Sequence, residues 1–258
     1  MKPIFNRCGM MAGLFALAAF TSSLHAQTKV LFVGGQDEPT QGADGDVWTH
    51  LQEKYGAANV SYIGSGSSTS ADAEAVDLVV VSSTPGSGSI RDKFHNIATP
   101  SLNWEEALVD QPRGGNWPYT EGARTKSTEE NLLIVDAEHP ITKSLGLAIG
   151  PLAVFGDGGG ECWSAAAPLP GDAFIIADTE TSGGEDGNGA IFGVDIGGKL
   201  FDDANGDPYI AIARNIQFGM TDASATNLTD AGWALFDACL DWLTNELGGS
   251  GQIFDFNE

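Results

Sequence analysis

Polar side chains follow directly after three apolar runs of the sequence and could line a ligand site. They are Asp37 after the first run, Ser82 and Ser83 after the second, and Asn103, Trp104 and Glu105 after the third. Open α/β sheets bind ligands in the crevice outside the carboxyl ends of their parallel strands. A tryptophan beside carboxylate and amide groups suits a carbohydrate, because the sugar ring stacks on the aromatic face while its hydroxyls form hydrogen bonds. We therefore predict a ligand site where these runs end, with carbohydrate as its candidate ligand.

Two of these residues also have a structural interpretation. Trp104 could belong to the hydrophobic core instead of a binding surface. Glu105 could open a helix, because a carboxylate at a helix N-terminus is stabilised by the helix dipole. Both interpretations stay open at this point.

Ser82 and Ser83 are also candidates for a catalytic nucleophile, because they follow the most apolar run of the protein. A nucleophile elbow is a sharp turn with small residues two positions before and two positions after the nucleophile. Around Ser82 these positions hold Val80 and Thr84, and around Ser83 they hold valine and proline. Neither serine fits, so we predict that these hydroxyls cap a turn or the following helix.

The candidate metal ligands are scattered along the chain. His139 precedes a proline in a predicted turn and is a candidate ligand-binding residue, as a general base or metal ligand. Asp203, Asn205 and Asp207 occupy alternate positions of a loop that resembles a calcium-binding EF-hand. A proline stands where that loop requires glycine, and an arginine stands where it requires glutamate. These three are therefore weak calcium candidates, and a divalent metal remains one option for a cofactor that the sequence leaves unknown.

Two cysteines, Cys162 and Cys239, lie in the chain beyond residue 26. Cysteines pair readily in an oxidising compartment, so a disulfide between them is one candidate. The alternative is two free thiols, and the spacing does not decide between them.

The first 26 residues have the layout of a secretory signal peptide. Lys2 and Arg7 form a charged start, residues 10–20 form an apolar core, and small residues lead to a predicted cleavage after Ala26. The apolar core is shorter than the roughly 20 residues that span a bilayer. We expect a secreted or periplasmic protein without membrane insertion after cleavage; an uncleaved anchor is the alternative.

The formal net charge is −23, with 35 acidic residues against 12 lysines and arginines. A surface of this sign repels nucleic acid and anionic membranes. We therefore expect neither as a partner.

The elements that must position the candidate residues alternate between strand and helix. Short apolar runs bounded by glycine, serine and asparagine read as buried parallel strands, and helical patterns lie between them. A final helix is predicted from the spacing of Trp233, Phe236, Leu240 and Leu243. This alternation predicts a mainly parallel sheet covered by helices on both faces. We expect one domain over residues 27–248, followed by a C-terminal tail over residues 249–258.

Several stretches resemble the class I glutamine amidotransferase-like superfamily, and within it the ThuA-like branch and related modules of exported bacterial proteins. They include KVLFVGG, DLVVVSSTPGSGSIRDKF, PSLNWEEALVD, EHPITKSL and the block that ends in LTDAGWALFDACLDWL. The resemblance implies a flavodoxin-like three-layer α/β/α sandwich. True amidotransferases of this superfamily carry a cysteine at the elbow, where this chain has Ser-Ser-Thr. The departure argues against glutamine hydrolysis.

Three functions are compatible with these observations. The first is an exported, non-catalytic amidotransferase-like domain that binds carbohydrate at the carboxyl ends of its parallel strands. The second is a ThuA-like enzyme acting on a sugar or sugar derivative, which predicts that Asp37, Glu105 and His139 converge. The third is a structural or adhesion module, which predicts an exposed apolar patch and no polar pocket.

Overall fold

The computed structural model describes residues 27–94, 97–109, 117, 124–165, 169–181, 188–202, 206–207 and 209–247. The strands are β1 Val30–Gly34, β2 Val60–Gly64, β3 Leu78–Val81, β4 Ser101–Asn103, β5 Arg124–Glu129, β6 Asn131–Ile134, β7 Gly150–Ala153, β8 Gly160–Ala165, β9 Ala173–Thr179, β10 Ile191–Val194 and β11 Asn215–Phe218. The α-helices are α1 Asp44–Tyr55, α2 Ser87–Ile90, α3 Pro140–Ser144 and α4 Asp230–Leu243. Strands β5 and β8 form a two-stranded sheet, and the other strands form one nine-stranded sheet.

One half of the large sheet is parallel, in the order β2-β1-β3-β4-β11. Strands β1 and β3 are buried along their whole length, as their continuous apolar sequences require. The parallel arrangement predicted for the first part of the chain is confirmed for these strands. Their carboxyl ends meet at one edge of the sheet, called here the carboxyl edge, and their amino ends meet at the opposite amino edge.

The other half of the sheet corrects the prediction of a mainly parallel sheet. Strands β10, β9, β6 and β7 continue from β11, and each is antiparallel to its neighbour. A parallel connection requires a crossover, usually a helix, whereas antiparallel neighbours do not. The described residues between β9 and β10, and between β10 and β11, contain no helix. The sheet is therefore half parallel and half antiparallel.

The two faces of the sheet are covered differently, which corrects the expectation of a full α/β/α sandwich. Helices α1 and α4 pack on one face, where residues such as Leu51 and Phe236 join the strand side chains in a core. The other face is covered by the short helix α2, the 3₁₀ turn Glu106–Leu108 and strand β8. In the described part of the chain, no long helix packs there. None of the helices in the described ranges is both long and apolar enough to cross a bilayer.

Large apolar side chains are exposed at the amino edge. The strand directions put four segments at this edge: the loops before β7 and before β11, the loop after β10, and helix α3 after β6. These segments carry the exposed residues Leu145, Ile149, Ile196, Ile210 and Ile212. An apolar surface of this kind was expected for a structural or adhesion module.

Candidate functional site

A cleft of about 660 Å³ lies at the carboxyl edge, and we call it the carboxyl-edge cleft. Its size falls within the range of small-molecule sites. Its lining comes from the turns after β3, β4 and β11 and from strands β5 and β8. The lining residues are Ser83, Glu105, Glu106, Lys126, Gly159, Gly160, Glu161, Thr221, Asp222, Ala223, Ser224, Thr226 and Asn227. A polar pocket at the predicted strand ends is not expected for a purely structural module.

Glu105 follows β4 and is only 7% exposed. Its backbone N–H donates to Asn103 Oδ1 at 3.0 Å, and Asn103 Nδ2 donates back to the Glu105 carbonyl at 3.2 Å. Asn103 Nδ2 also donates to Gln217 Oε1 on β11 at 2.6 Å. Asn103 is itself fully buried, so it positions Glu105 and does not line the cleft.

The surroundings of Glu105 raise its pKa to about 8. Burial is the largest cause, because it penalises the charged form, and the negative charges of Glu106 and Asp222 add to it. The backbone N–H of Ala107 and the charge of Arg124 act in the opposite direction. Glu105 is therefore mainly protonated at neutral pH and can donate a hydrogen bond into the cleft.

Ser83 places a second polar group at the cleft. The residue is 6% exposed, and its Oγ atom is buried without a hydrogen-bond partner in the described structure. A buried hydroxyl without a partner costs stability, so such groups are rare in folded proteins. Because Ser83 lines the cleft, a ligand there could supply the missing hydrogen bond.

The turn that carries Ser83 is fixed by Asp44, in the first turn of α1. Ser82 Oγ donates to Asp44 Oδ1 at 2.5 Å, and Thr84 Oγ1 donates to Asp44 Oδ2 at 2.7 Å. The Gly35 N–H donates to Thr84 Oγ1 at 2.8 Å, which ties the turn to the end of β1. Burial raises the pKa of Asp44, and the hydroxyl hydrogen bonds oppose that shift. Ser82 is thus occupied as a structural donor.

Charged side chains lie at the mouth of the cleft. Lys126 Nζ on β5 lies 2.9 Å from Glu106 Oε1 and 3.4 Å from Glu161 Oε1 on β8. Its hydrogen bond to Glu106 is the main reason that the pKa of Lys126 is raised. The lysine therefore bridges two carboxylates instead of offering a separate positive charge.

The loop after β11 forms the far wall of the cleft. Ser224 Oγ and Thr221 Oγ1 donate to the Glu161 carbonyl at 2.6 and 3.2 Å, and Asn227 Nδ2 donates to the Gly159 carbonyl at 2.7 Å. Gly159 has a φ of +72°, and a Cβ there would lie 2.8 Å from a backbone carbonyl oxygen. These contacts hold β8 and the loop together, which fixes the width of the cleft.

The other predicted site residues lie outside the lining. Trp104 is 2% exposed and packs in the core, with ring centroids 5.9 Å from Phe32 and 6.2 Å from Phe236, so it offers no face to a sugar. Asp37 is exposed at the carboxyl edge but is not a lining residue.

His139 lies at the amino edge, away from the cleft. It follows β6, which runs opposite to the parallel strands, so the expected convergence with Glu105 does not occur. Its Nδ1 accepts a hydrogen bond from the Ile141 N–H at the start of α3, and its ring stacks on Phe174 with centroids 4.3 Å apart. The sequence identified a capping residue as a site residue because strand direction cannot be read from a single strand.

His139→Ala is expected to lower the free energy of unfolding by about 1 to 2 kcal/mol, through loss of the cap and the stacked ring. Burial lowers the pKa of His139 from 6.5 to about 4. The stability it contributes is therefore present above pH 6.5 and is lost as the pH falls towards about 4. Urea unfolding over this pH range measures both effects. His139→Asn keeps a capping acceptor and is expected to recover part of the loss.

The remaining metal and disulfide candidates gain no support. Cys162 and Cys239 are free, buried thiols, each held in the packed core, so the hypothesis of a disulfide between them is corrected. Asp203 and Asn205 lie outside the described residues, and Asp207 is exposed. Among the described residues, no group of three histidine, cysteine or carboxylate side chains could hold a metal ion.

Sequence reasoning missed several lining residues, although one signal was available. Asp222 and Ser224 follow β11 just as Ser83 follows β3, so applying the strand-end rule to the last parallel strand would have found them. Lys126 and Glu161 come from the two-stranded sheet, for which the sequence contains no comparable signal.

The comparisons with known proteins give only weak structural similarity. No family model and no curated protein matches the chain. A crystal structure of a protein from Bacteroides uniformis described as ThuA-like matches with a TM-score of 0.45 and 13% sequence identity, over 87% of this chain and 94% of that one. A similarity this low assigns neither a family nor an activity to the chain.

Proposed function

We propose that the chain is an exported, non-catalytic domain that binds carbohydrate in the carboxyl-edge cleft. The observation that carries the proposal is the pair formed by Ser83 and Glu105. One is a buried hydroxyl without a partner, and the other is a buried carboxyl that is mainly protonated at neutral pH. Both line the same cleft and both offer hydrogen bonds to it.

The composition of the lining supports a polyhydroxylated ligand. Carboxylates, hydroxyls, an amide and glycine backbone alternate around the cleft, and hydroxyls of a sugar can donate to some and accept from others. No aromatic side chain stands among the lining residues that the structure describes. Binding would therefore depend on hydrogen bonds and not on stacking against Trp104.

The described lining offers no serine or cysteine nucleophile with a neighbouring base, and this supports a non-catalytic role. Ser82 is held by Asp44, and Ser83 has no hydrogen-bonded base in the described structure. No histidine or cysteine is found among the described lining residues. An activated serine or cysteine needs such a neighbour.

The proposal is tested by thermal shift with the mature protein and the neutral sugars glucose, galactose and maltose. A ligand that binds the native state raises the melting temperature, and the stabilisation grows with the logarithm of its concentration relative to its Kd. We expect at least one sugar to raise the melting temperature. We expect Ser83→Ala to raise the Kd of that sugar about threefold to tenfold, which corresponds to the free energy of one hydrogen bond.

Ser68→Ala is the matched control for this test. Ser68 is a buried serine outside the cleft, and its Oγ donates to the Ser65 carbonyl. The control should bind the sugar as the unmodified protein does. No shift with any sugar, or the same loss of affinity in both variants, would contradict the proposal.

A ThuA-like enzyme acting on a sugar is the second candidate, favoured by one observation. A carboxyl group with a pKa of about 8 is protonated at neutral pH, as a general acid must be before it donates its proton. This candidate predicts turnover of a sugar glycoside by the mature protein and its loss in Glu105→Gln. Binding without turnover supports the non-catalytic proposal instead.

A further inference from the structure

We propose that the ligand of the carboxyl-edge cleft carries a protonated amine, as an amino sugar does. This inference rests on the proposed function, since it names the chemical class of the ligand for the same cleft. It follows from the charges of the lining and from two buried polar groups inside it.

The lining is negative even after its internal ion pair is counted. Glu106 and Glu161 share Lys126, Asp222 adds a further negative charge, and Glu105 adds another once it loses its proton. A low-dielectric cleft lined by one sign of charge concentrates ions of the other sign. The cleft therefore disfavours anionic ligands, tolerates neutral sugars and favours cationic ones.

The acidic character alone does not make a site, because the whole chain has an excess of acidic residues. The distinguishing feature is that Glu105 and Ser83 are 7% and 6% exposed, and that Ser83 Oγ has no partner. Solvated surface charges have neither property. An ammonium group donates three hydrogen bonds and accepts none, so it could bind both a carboxylate and the Ser83 oxygen.

Binding of the amine is coupled to the release of a proton from Glu105. The carboxyl lies near the negative Glu106 and Asp222, with Arg124 as the opposing charge, and Lys126 and Glu161 lie in the same cleft. Its pKa of about 8 means that the free protein holds the proton at neutral pH. An ammonium group beside Glu105 favours the carboxylate form, so the proton leaves to solvent when the amine binds.

A protonated amine suits this cleft better than a divalent metal. Calcium takes six to eight oxygen ligands, and magnesium requires near-ideal octahedral geometry. No group of three acidic or metal-ligating side chains is close enough for a metal among the described residues. An ammonium group needs only the one carboxylate and the hydroxyl that the cleft provides.

The test is isothermal titration calorimetry of the mature protein near pH 6.5 with glucosamine, glucose and N-acetylglucosamine. The three sugars share one ring, and only glucosamine carries a positive charge. We expect glucosamine to bind at least about tenfold more tightly than the other two, as for one favourable charge pair in a partly buried site. Titrations in two buffers of different ionisation enthalpy should show the release of about one proton per glucosamine.

Two glutamate-to-glutamine variants distinguish binding in the cleft from general attraction to the acidic surface. Glu105→Gln should reduce the preference for glucosamine over glucose to less than about twofold and abolish proton release. Glu138→Gln makes the same change at an exposed residue at the amino edge and should alter neither. If glucosamine binds no more tightly than glucose, the inference fails and the proposed function stands. If Glu138→Gln lowers the preference as much as Glu105→Gln, the inference also fails. If none of the three sugars binds, the inference fails, and the proposed function fails with it if galactose and maltose give no thermal shift either.

Discussion

Asp44→Ala is expected to lower the free energy of unfolding by about 3 kcal/mol, because it leaves buried hydroxyl donors without an acceptor. The carboxylate is 1% exposed and accepts hydrogen bonds from Ser82, Thr84 and, at 3.4 Å, the hydroxyl of Tyr62. These contacts join α1 to the middle of β2 and to the turn after β3. Urea unfolding at neutral pH measures the loss.

Two variants make this prediction specific. Asp46→Ala removes an exposed carboxylate from the same turn of α1 and should change stability by less than about 0.5 kcal/mol. Asp44→Asn keeps one oxygen acceptor and should lose about 1 kcal/mol. If Asp44→Ala were no less stable than Asp46→Ala, the hydrogen bonds to Asp44 would not stabilise the turn.

Glu105→Gln is expected to change how stability depends on pH. The folded-state pKa of Glu105 is about 8, above its ordinary value of 4.5. The stability that the protonated carboxyl contributes is therefore complete below about pH 4.5 and is lost as the pH rises through about 8. Glutamine does not titrate, so the variant should lack this loss, a difference on the order of 5 kcal/mol across the range.

The measurement is urea unfolding of both proteins at several pH values across this window. Other titrating groups, including Asp44 and His139, act in both proteins and cancel in the difference. The informative quantity is therefore the difference in the free energy of unfolding, which should shift in favour of Glu105→Gln as the pH rises. A difference that stays constant with pH would show that Glu105 ionises normally in the folded protein.

The parallel half of the sheet and part of its site could be predicted from the sequence. The apolar runs that become β1 and β3 are continuous because both faces of a parallel sheet are buried. Ser83 and Glu105 follow neighbouring parallel strands, so the strand-end rule brings them to one cleft.

The rest of the site depends on contacts that no local pattern records. The Asp44 carboxylate meets hydroxyls 38 and 40 residues away along the chain. Lys126 and Glu161 reach the cleft through the pairing of β5 with β8, which a single sequence does not specify. Trp104 is a residue type on which sugar rings often stack, but here its ring packs against Phe236 of α4 in the core.

Amide chemical-shift mapping shows whether ligands bind in the carboxyl-edge cleft. Glucose and glucosamine would be titrated into isotope-labelled protein covering residues 27–258. We expect the largest shifts at the amides of Ser83, Glu106, Gly160 and Asn227, and none at the amino edge around His139 and Ile196. Shifts centred on the amino edge, or no shift with either sugar, would mean that the cleft is not the binding site.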